Sequence, residues 1–325
     1  MKIDIRNFKI RLFEPTDVDY AATVEIVNQS WSNSPSTVEM WKHDDSILNP
    51  KRFEQRFIGE IENENTKRIV AVGFITGSRI GAKKTGKYHI PYYIDREYKG
   101  QGLDEPFYMH LITALADKKP SELGSLSRED NVAQIEFLKQ KGFKQIRRIS
   151  NSELDLPSFD FSPFVGYSEK VASSGIAIVD LQELQASDSD WMQKLYDLEM
   201  AIRRDVPGEF TPAGLKEYGK HFEKINFQAD AWFVAVDANN YVGMSSLWPN
   251  KVLENLMGVG ITGVLPSHRR RGIGATLKLK TIEFAQAYGA NTIETDNEEN
   301  NPMYVLNMRL GFQPTPGWLI FEKVL

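Results

Sequence analysis

Hydrophobic and polar positions in the first half of the chain follow two spacings, and their order predicts the fold. RIVAVGFITGS and KYHIPYYID alternate as half-buried strands do, and shorter strands are predicted at KIRLFEP, ELGSLS and FKQIRRIS. Helical spacing of apolar residues extends over residues 18–28 and 107–116. Strands in a run, followed by a strand–helix–strand order, are typical of a mixed α/β sheet. We therefore predict an α/β fold for this half.

The second half repeats this order of elements. A strand at IAIVDLQ precedes a helix over residues 190–202, and further strands are predicted at AWFVAVD, YVGMSSLW and GVGITGVLP. A helix over residues 275–288, a strand at NTIETD, a helix that ends at GF and a strand at WLIFEKVL complete it. Self-similarity of this kind indicates an internal repeat. Three pairs of glycines mark it at offsets of 170, 170 and 169 residues: Gly73 with Gly243, Gly102 with Gly272, and Gly142 with Gly311.

The segment between the halves has the composition of a connection. DLPSFDFSPFVGYSEKVASSG is rich in proline, serine and glycine, which punctuate regular structure. We predict a first domain over residues 1–155, a linker over 156–175 and a second domain over 176–325. A length of 325 residues suits two domains of ordinary size.

Composition limits the chemistry. The chain has no cysteine, which excludes disulfides, thiolate metal sites and cysteine nucleophiles, and its five histidines are scattered, so we expect no metal. A net charge of −5 argues against a nucleic-acid partner but leaves room for a local basic site. The charged N-terminus MKIDIRNFKIRLFEP does not resemble a signal peptide, and no apolar run of about 18 residues is present. We expect a cytoplasmic protein with no membrane partner.

One short stretch combines features that conflict unless a ligand is bound. HRRRGIGATL places Arg269, Arg270 and Arg271 before a predicted helix start, where the helix dipole disfavours cations. An anion is therefore expected there. The glycine spacing of Gly272 and Gly274 fits neither a Walker loop nor a dinucleotide fingerprint.

The stretch ITGVLPSHRRRGIGATLK resembles the acyl-coenzyme A signature of the Gcn5-related N-acetyltransferase (GNAT) superfamily. Arg269, Gly272 and Gly274 fill the family pattern of Arg or Gln, two residues, Gly, one residue, then Gly or Ala. TDNEENNPMYVLNMRLGF resembles the later helix of the same superfamily, so the resemblance covers the whole second half. It implies two tandem GNAT-like domains, each with a central, mostly antiparallel sheet flanked by helices, in a layout similar to that of mycothiol synthase.

The resemblance implies acetyl-CoA as the co-substrate and a coenzyme site in the second half. Consecutive N–H groups at a helix start bind pyrophosphate, glycines permit close approach, and arginine adds charged hydrogen bonds. The implied coenzyme contacts are Thr262, Val264, Leu265, Arg269, Arg270, Arg271, Gly272, Ile273, Gly274, Ala275, Thr276, Asn300 and Asn307.

The first half departs from the family pattern. Lys99 stands where the second half has Arg269, and Asp104 stands where it has Gly274. A carboxylate at that point, followed by Glu105, complements the helix dipole and repels pyrophosphate. We therefore predict that the first domain is a degenerate copy, with a structural role or a role in shaping the acceptor pocket.

The later helix supplies candidates for the chemistry. Asn300, before Asn301 and Pro302, predicts a helix N-cap and in the resembling family also contacts the pantetheine arm. Asn307 stands where many members carry the tyrosine that protonates the leaving thiolate. Tyr304, one helical turn earlier, is either its replacement or a core residue.

Three acidic residues are candidates for the base and for acceptor binding. Glu254, near the start of the strand before the arginines, is either the general base or a turn glutamate. Asp205 and Glu209, in RRDVPGEFTP, either recognise a cationic amine or are ordinary loop acids.

The resemblance implies an N-acetyltransferase that transfers the acetyl group of acetyl-CoA to the amine of a small molecule by direct attack in a ternary complex. Two alternatives stay open. One is a non-catalytic acyl-CoA binding or sensing protein, suggested by the missing tyrosine. The other is a protein N-acetyltransferase.

Overall fold

The computed structural model describes residues 5–48, 53–63, 66–77, 86–205, 212, 214–298 and 301–325. The chain forms two compact units, the first with Met1–Ile149 and Pro316–Leu325, the second with Ser150–Thr315. The prediction assigned residues 316–325 to the second domain. In the structure these residues belong to the first unit because Trp318 to Val324 pair antiparallel with a strand of that unit.

The first unit begins with β1 (Phe8–Leu12), α1 (Asp17–Ser30), α2 (Val38–Ile47), β2 (Glu54–Asn63), β3 (Thr66–Gly77), β4 (Lys87–His89), β5 (Tyr92–Ile94), α3 (Asp104–Ala114), β6 (Glu122–Arg128), α4 (Val132–Gln140) and the start of β7 (Lys144–Asp155). Short 3-10 helices lie at Ile5–Asn7, Arg96–Tyr98 and Ala116–Lys118. The strand order is β1, β2, β3, β4 and β6, followed by the last strand of the chain. β5 pairs antiparallel with β3, and only the β4–β6 pair is parallel among these described strands.

The second unit contains the end of β7, α5 (Tyr167–Ser173), β8 (Ile176–Asp180), α6 (Leu181–Ser187), α7 (Trp191–Arg203), α8 (Leu215–Gly219), β9 (Trp232–Asp237), β10 (Asn240–Pro249), β11 (Leu256–Val264), α9 (Ile273–Tyr288), β12 (Thr292–Glu298), α10 (Pro302–Arg309) and the start of β13 (Gln313–Val324). Its 3-10 helices lie at Ser162–Phe164, Lys220–Glu223, Ala229–Ala231 and Pro266–His268. β8, β9, β10 and β11 are successive antiparallel neighbours, and β12 is parallel to β11. The predicted mixed, mostly antiparallel α/β architecture is confirmed.

Each unit has its own apolar core, and the glycine landmarks of the repeat have a packing reason there. A Cβ on Gly73 of β3 would lie 2.3 Å from the ring of Phe107 on α3. A Cβ on Gly243 of β10 would lie 3.2 Å from Leu277 on α9. In both units a buried helix side chain packs against the strand backbone at this glycine, so a Cβ would clash at Gly73 and would make a tight contact at Gly243.

The segment predicted as a linker is a packed part of the second unit. The rings of Phe159, Phe161 and Phe164 pack against the main core cluster of that unit. Val171 on α5 is only 1% exposed and lies in a smaller cluster that includes Ile273. Burial of these apolar side chains keeps the segment in place although its composition is typical of a loop. No helix among the described residues is long and apolar enough to cross a bilayer.

Candidate functional site

The site is organised by β11, which pairs with β10 along most of its length but with β12 only over Leu256 to Gly258. The register with β10 shifts between Ser245 and Leu247, so that two residues of β11 lie opposite Ser246. The hydroxyl of Ser246 accepts the N–H of Ile261 at 3.1 Å, which satisfies one group displaced from the ladder. A bulge of this kind bends its strand. Beyond Gly258, β11 is no longer paired with β12.

The turn after β11 leaves a helix start without a cap. Pro266–His268 forms a 3-10 turn, and then Arg270 and Gly272 adopt positive φ of 60° and 86°. α9 follows with no side-chain hydrogen bond to its first turn. Since the first N–H groups of a helix have no partner within the helix, those of α9 are available to a ligand.

The three arginines surround this helix start. Arg269 donates from Nε to the carbonyl oxygen of Val264 at 3.0 Å and forms an ion pair with Asp205. Arg271 contacts the carbonyl oxygen of Ser174 at 3.4 Å, and Arg270 is exposed. Only one of the three guanidinium groups has a carboxylate partner within the described residues. The helix dipole and the arginines therefore create a local anion site in a chain whose net charge is −5.

Gly274, in the first turn of α9, is not required by the protein's own packing. A Cβ there would lie 3.7 Å from Val264 and 3.9 Å from Leu306, which are ordinary contacts, and its φ is not in the left-handed region. Glycine costs helix stability relative to alanine. Space left open at this point is what a bound pyrophosphate against the helix backbone needs.

Comparisons with known proteins give one family likeness and several structures of the same fold. Residues 192–312 match the family model described as "Acetyltransferase (GNAT) family". The matched range lies within the second unit, which is therefore similar to proteins of this family. No curated protein matches the sequence.

Three solved structures share the fold. A tandem GNAT protein from the clavulanic acid biosynthesis pathway is 16% identical, with a TM-score of 0.73 and 98% of each chain covered. A GCN5-related N-acetyltransferase from Sphaerobacter thermophilus is 16% identical, with a TM-score of 0.70, covering 98% of this chain and 96% of that one. The glucosamine N-acetyltransferase region of a fungal multi-domain β-N-acetylglucosaminidase is 13% identical, with a TM-score of 0.69, covering 97% of this chain and 38% of that one. The family that the model describes is one of acetyltransferases.

The coenzyme contacts implied by the GNAT resemblance divide into two groups in the structure. Ile273 and Thr276 are each 1% exposed, and the hydroxyl of Thr276 donates to the carbonyl oxygen of Gly272 at 3.3 Å. Their side chains therefore serve packing, and only their backbone is available to a ligand. The half-buried Thr262 exchanges a hydrogen bond with the hydroxyl of Ser245 at 2.8 Å. Val264, Leu265 and Ala275 are also half-buried, close to the uncapped helix start in the sequence.

The start of α10 corrects one prediction. The N-cap is Asn301, whose side chain accepts the N–H of Met303 at 2.9 Å, with Pro302 at the first helical position. Asn300, predicted as the cap, lies outside the described residues, as does Glu209. The register differs by one residue because proline occupies the first helical position, and the residue before it has the extended backbone of a cap.

Asn307 and Tyr304 occupy different environments on α10. Asn307 is fully buried, and its Nδ2 donates to Oδ1 of Asn297 on β12 at 2.6 Å. Tyr304 is half-buried. The buried amide links α10 to β12, whereas the tyrosine remains accessible.

The first unit shows what a residue at the position of Tyr304 can reach. Gln134 stands three residues after the N-cap Asn131, as Tyr304 does after Asn301. The side chain of Gln134 donates to the carbonyl oxygen of Tyr92 on β5 at 3.0 Å and accepts from the hydroxyl of Ser127 on β6, also at 3.0 Å. It therefore bridges the two strands that correspond to β11 and β12. Tyr304 and Gln134 stand at the same number of residues from their N-caps, a match that is visible in the sequence. We infer from it that Tyr304 lies at the gap between β11 and β12.

Glu254 occupies a position that argues against its predicted role as general base. It is exposed in the turn before β11, where Leu256 donates its N–H to the carbonyl oxygen of Leu253 at 2.9 Å. The bulge is six residues further along an extended strand, a distance of about 20 Å. A glutamate side chain does not cover that distance, so the alternative interpretation as a turn glutamate fits the structure.

A buried carboxylate that the sequence interpretation missed lies on α7. Glu199 is 1% exposed and accepts hydrogen bonds from Arg203 at 2.7 Å and from the hydroxyl of Tyr218 at 2.9 Å. Burial lowers the pKa of the neighbouring His221 and, together with Glu199, raises that of Tyr218. The sequence offered one sign of this burial: Glu199 lies between Leu198 and Ile202, two residues of the apolar face of α7.

No cluster of three or more potential metal-binding side chains occurs in the part of the chain that the structure describes.

A second unexpected group is the ammonium of Lys278 on α9. The residue is 1% exposed, and its Nζ has no hydrogen-bond partner there, with the ring centre of Phe312 5.4 Å away. Burial lowers the pKa of Lys278 to about 7.

Proposed function

We propose that this protein is an acetyl-CoA-dependent N-acetyltransferase of the GNAT superfamily that acts on the amine of a small molecule, with the coenzyme site in the second unit. The observation that carries the proposal is the uncapped start of α9, with positive φ at Arg270 and Gly272 and three arginines around it. Backbone N–H groups and guanidinium groups at that point are suited to a pyrophosphate.

The separated strands supply a second part of the coenzyme site. Beyond Gly258, the edge of β11 is no longer paired with β12, so Thr262 and Val264 lie on a strand edge suited to an extended arm with amide groups. Gly274 leaves room for the phosphates at the helix backbone. Asn301 and Tyr304 begin the helix that follows β12, on the other side of the gap.

Acetyl-CoA supplies an activated thioester that an acceptor amine attacks directly. Tyr304 is assigned as the group that donates a proton to the leaving sulfur, because it is accessible and matches the bridging position of Gln134. The residues of β11 carry no carboxylate, so the proton lost by the amine goes to solvent. Asp205 forms an ion pair with Arg269 at the arginine turn.

A small-molecule acceptor is supported by two fold relatives. One is described as a glucosamine N-acetyltransferase region, and the other comes from a biosynthetic pathway for clavulanic acid. Asp205 and Glu209 are the proposed acidic groups for recognition of a cationic amine.

A non-catalytic acyl-CoA binding protein is the second candidate. It is favoured by Asn307, a fully buried amide at the position where the resembling family carries its tyrosine. A buried, hydrogen-bonded asparagine does not donate a proton to a thiolate at neutral pH.

Steady-state consumption of acetyl-CoA with a panel of small amines separates the two candidates. The enzyme is expected to release coenzyme A in the presence of at least one amine and to lose this activity in Gly274→Asp. Tight binding of coenzyme A without turnover of any amine supports the binding protein instead. Absence of coenzyme A binding removes both.

A further inference from the structure

The first unit contains a polar cavity of about 310 Å³ for which the acetyltransferase proposal has no use. It is lined by residues of α1, β5, β6 and the start of α4, together with Lys99 and Trp318. A volume of this size accommodates a small organic molecule. All the lining residues named below belong to the first unit.

The cavity lies at the position in the repeat that corresponds to the gap between β11 and β12. β4 pairs with β6 over Lys87–His89, whereas β5 pairs with β3 and, within the described residues, not with β6. The side chain of Gln134 spans the resulting gap from Tyr92 to Ser127. An extended coenzyme arm therefore has no free strand edge here, and only a compact ligand fits the space that remains.

Three side chains at this cavity have hydrogen-bond donors without a partner among the described residues. The hydroxyl of Tyr93 accepts from the indole of Trp31 at 3.1 Å, which leaves its own hydrogen free. The amide oxygen of Gln29 accepts the N–H of Arg96 at 2.7 Å, which leaves the amide hydrogens. Lys99 makes no hydrogen bond or ion pair with any residue that the structure describes. These donors call for a ligand rich in acceptors.

The charges point in the same direction. Among the lining residues, Arg128 and Asp130 form a two-point pair, with Nε and one terminal nitrogen 3.2 and 3.1 Å from the two carboxylate oxygens. Together with this pair, Lys99 gives the charged side chains of the described lining a net charge of +1, and both Asp130 and the nearby Asp104 act on its ammonium. A single positive charge matches a monoanion, whereas a phosphate dianion needs more than one cation for comparable compensation.

We propose that the first unit binds a small organic monocarboxylate in this cavity, with the carboxylate accepting hydrogen bonds from Lys99 and Tyr93 and a polar body facing Gln29. The inference is independent of the acetyl transfer assigned to the second unit. It gives the degenerate copy a ligand of its own, of a different chemical class from coenzyme A.

Calorimetric titration of the full chain with lactate and gluconate tests the proposal, with lactamide as the neutral analogue. One binding site is expected for a carboxylate and none for lactamide. Lys99→Gln and Tyr93→Phe should each weaken binding, Lys99→Gln by roughly ten- to a hundredfold because a charged hydrogen bond is lost. Lys139→Gln is the matched control, since this exposed lysine pairs only with Glu136 on the surface of α4, and it should bind like the wild type.

The proposal is overturned if no carboxylate binds at millimolar concentration or if Lys99→Gln binds with unchanged affinity. It is also overturned if lactamide binds as tightly as the carboxylates, or if inorganic phosphate binds more tightly than either of them. Loss of binding in Arg271→Ala rather than in Lys99→Gln would move the site to the second unit and has the same consequence. Lys99 is exposed in a turn, so its substitution leaves the fold intact and the test valid.

Discussion

The two units follow the same backbone path at the turn between strand and helix but present different chemistry there. In each unit a 3-10 turn precedes two residues of positive φ, Gly100 (73°) and Gly102 (86°) in the first, Arg270 (60°) and Gly272 (86°) in the second. The backbone path therefore does not by itself make a coenzyme site. The side chains at the turn decide which ligand the helix start accepts.

The difference is concentrated where Asp104 corresponds to Gly274. Asp104 begins α3, its carboxylate accepts a hydrogen bond from the hydroxyl of Tyr92 at 3.0 Å, and burial raises its pKa. The first unit thus supplies its own acidic group at the helix start. The second unit supplies none and surrounds the same point with arginines. A helix start that already has an anion of the protein has no need of one from a ligand.

Gly274→Asp gives the largest expected effect, because it places the carboxylate of the first unit in the second. Coenzyme A binding should weaken by about a hundredfold or more, since the change adds a negative charge beside a phosphate and fills the space against the helix. Gly274→Ala is the matched variant that adds a Cβ at an ordinary distance, 3.7 Å from Val264, but no charge, and it should weaken binding far less, since the family pattern accepts alanine at this position. Titration calorimetry checks both, and equal affinity of the Asp variant and wild type would remove this helix start as the coenzyme site.

Lys278→Met tests a second contrast, because the repeat places the buried Tyr108 of the first unit at the corresponding position. The folded-state pKa of Lys278 is about 7, below its ordinary 10.5, so the folded protein binds fewer protons than the unfolded chain between these values. The free energy of unfolding should therefore rise with pH between about 7 and 10.5. Below pH 7 the buried ammonium is charged, and the protein has its lowest stability from this group.

The methionine variant should lose that pH-dependent rise, and its free energy of unfolding at pH 7 and below should exceed that of the wild type by about 5 kcal/mol, at roughly 1.4 kcal/mol per unit of pKa shift. Denaturant unfolding at several pH values measures the effect. An unchanged pH profile would show that Lys278 has a counter-charge or water in solution.

Tyr304→Phe compares the tyrosine with Gln134, its counterpart in the first unit. Turnover should fall about tenfold with coenzyme A affinity retained, because a thiolate leaves readily and the proton donor contributes modestly. Glu254→Gln is the control and should keep full turnover, given its place in an exposed turn. A loss of activity in Glu254→Gln with full activity in Tyr304→Phe would reverse both assignments.

Asp104→Gly should have the smallest effect. It restores the glycine of the family pattern in the first unit, yet Gln134 still bridges β5 and β6 across the gap. Titration with coenzyme A is expected to show one site per chain, as in the wild type. A second site in this variant would mean that Asp104 alone separates the two units.

Local patterns determined much of what could be predicted. The repeat, the mixed sheet and the arginine–glycine turn follow from apolar periodicity and glycine placement, which act over a few residues at a time. The structure has the predicted helices after both glycine turns, and it adds that Gly102 and Gly272 have positive φ. The opposite charges of Asp104 and of the arginines could also be predicted, because the residue type alone sets the sign of the charge.

Only the tertiary structure decided the features that depend on contacts between distant segments. β13 belongs to the first unit from Pro316 onward because its backbone groups pair with those of β6, about 190 residues earlier. Glu254 is distant from the bulge because the turn lies at the far end of β11, and Asn307 is buried because its amide meets Asn297. Strand pairing and side-chain burial join parts of the chain that no local pattern relates, which is why they could not be derived from the sequence.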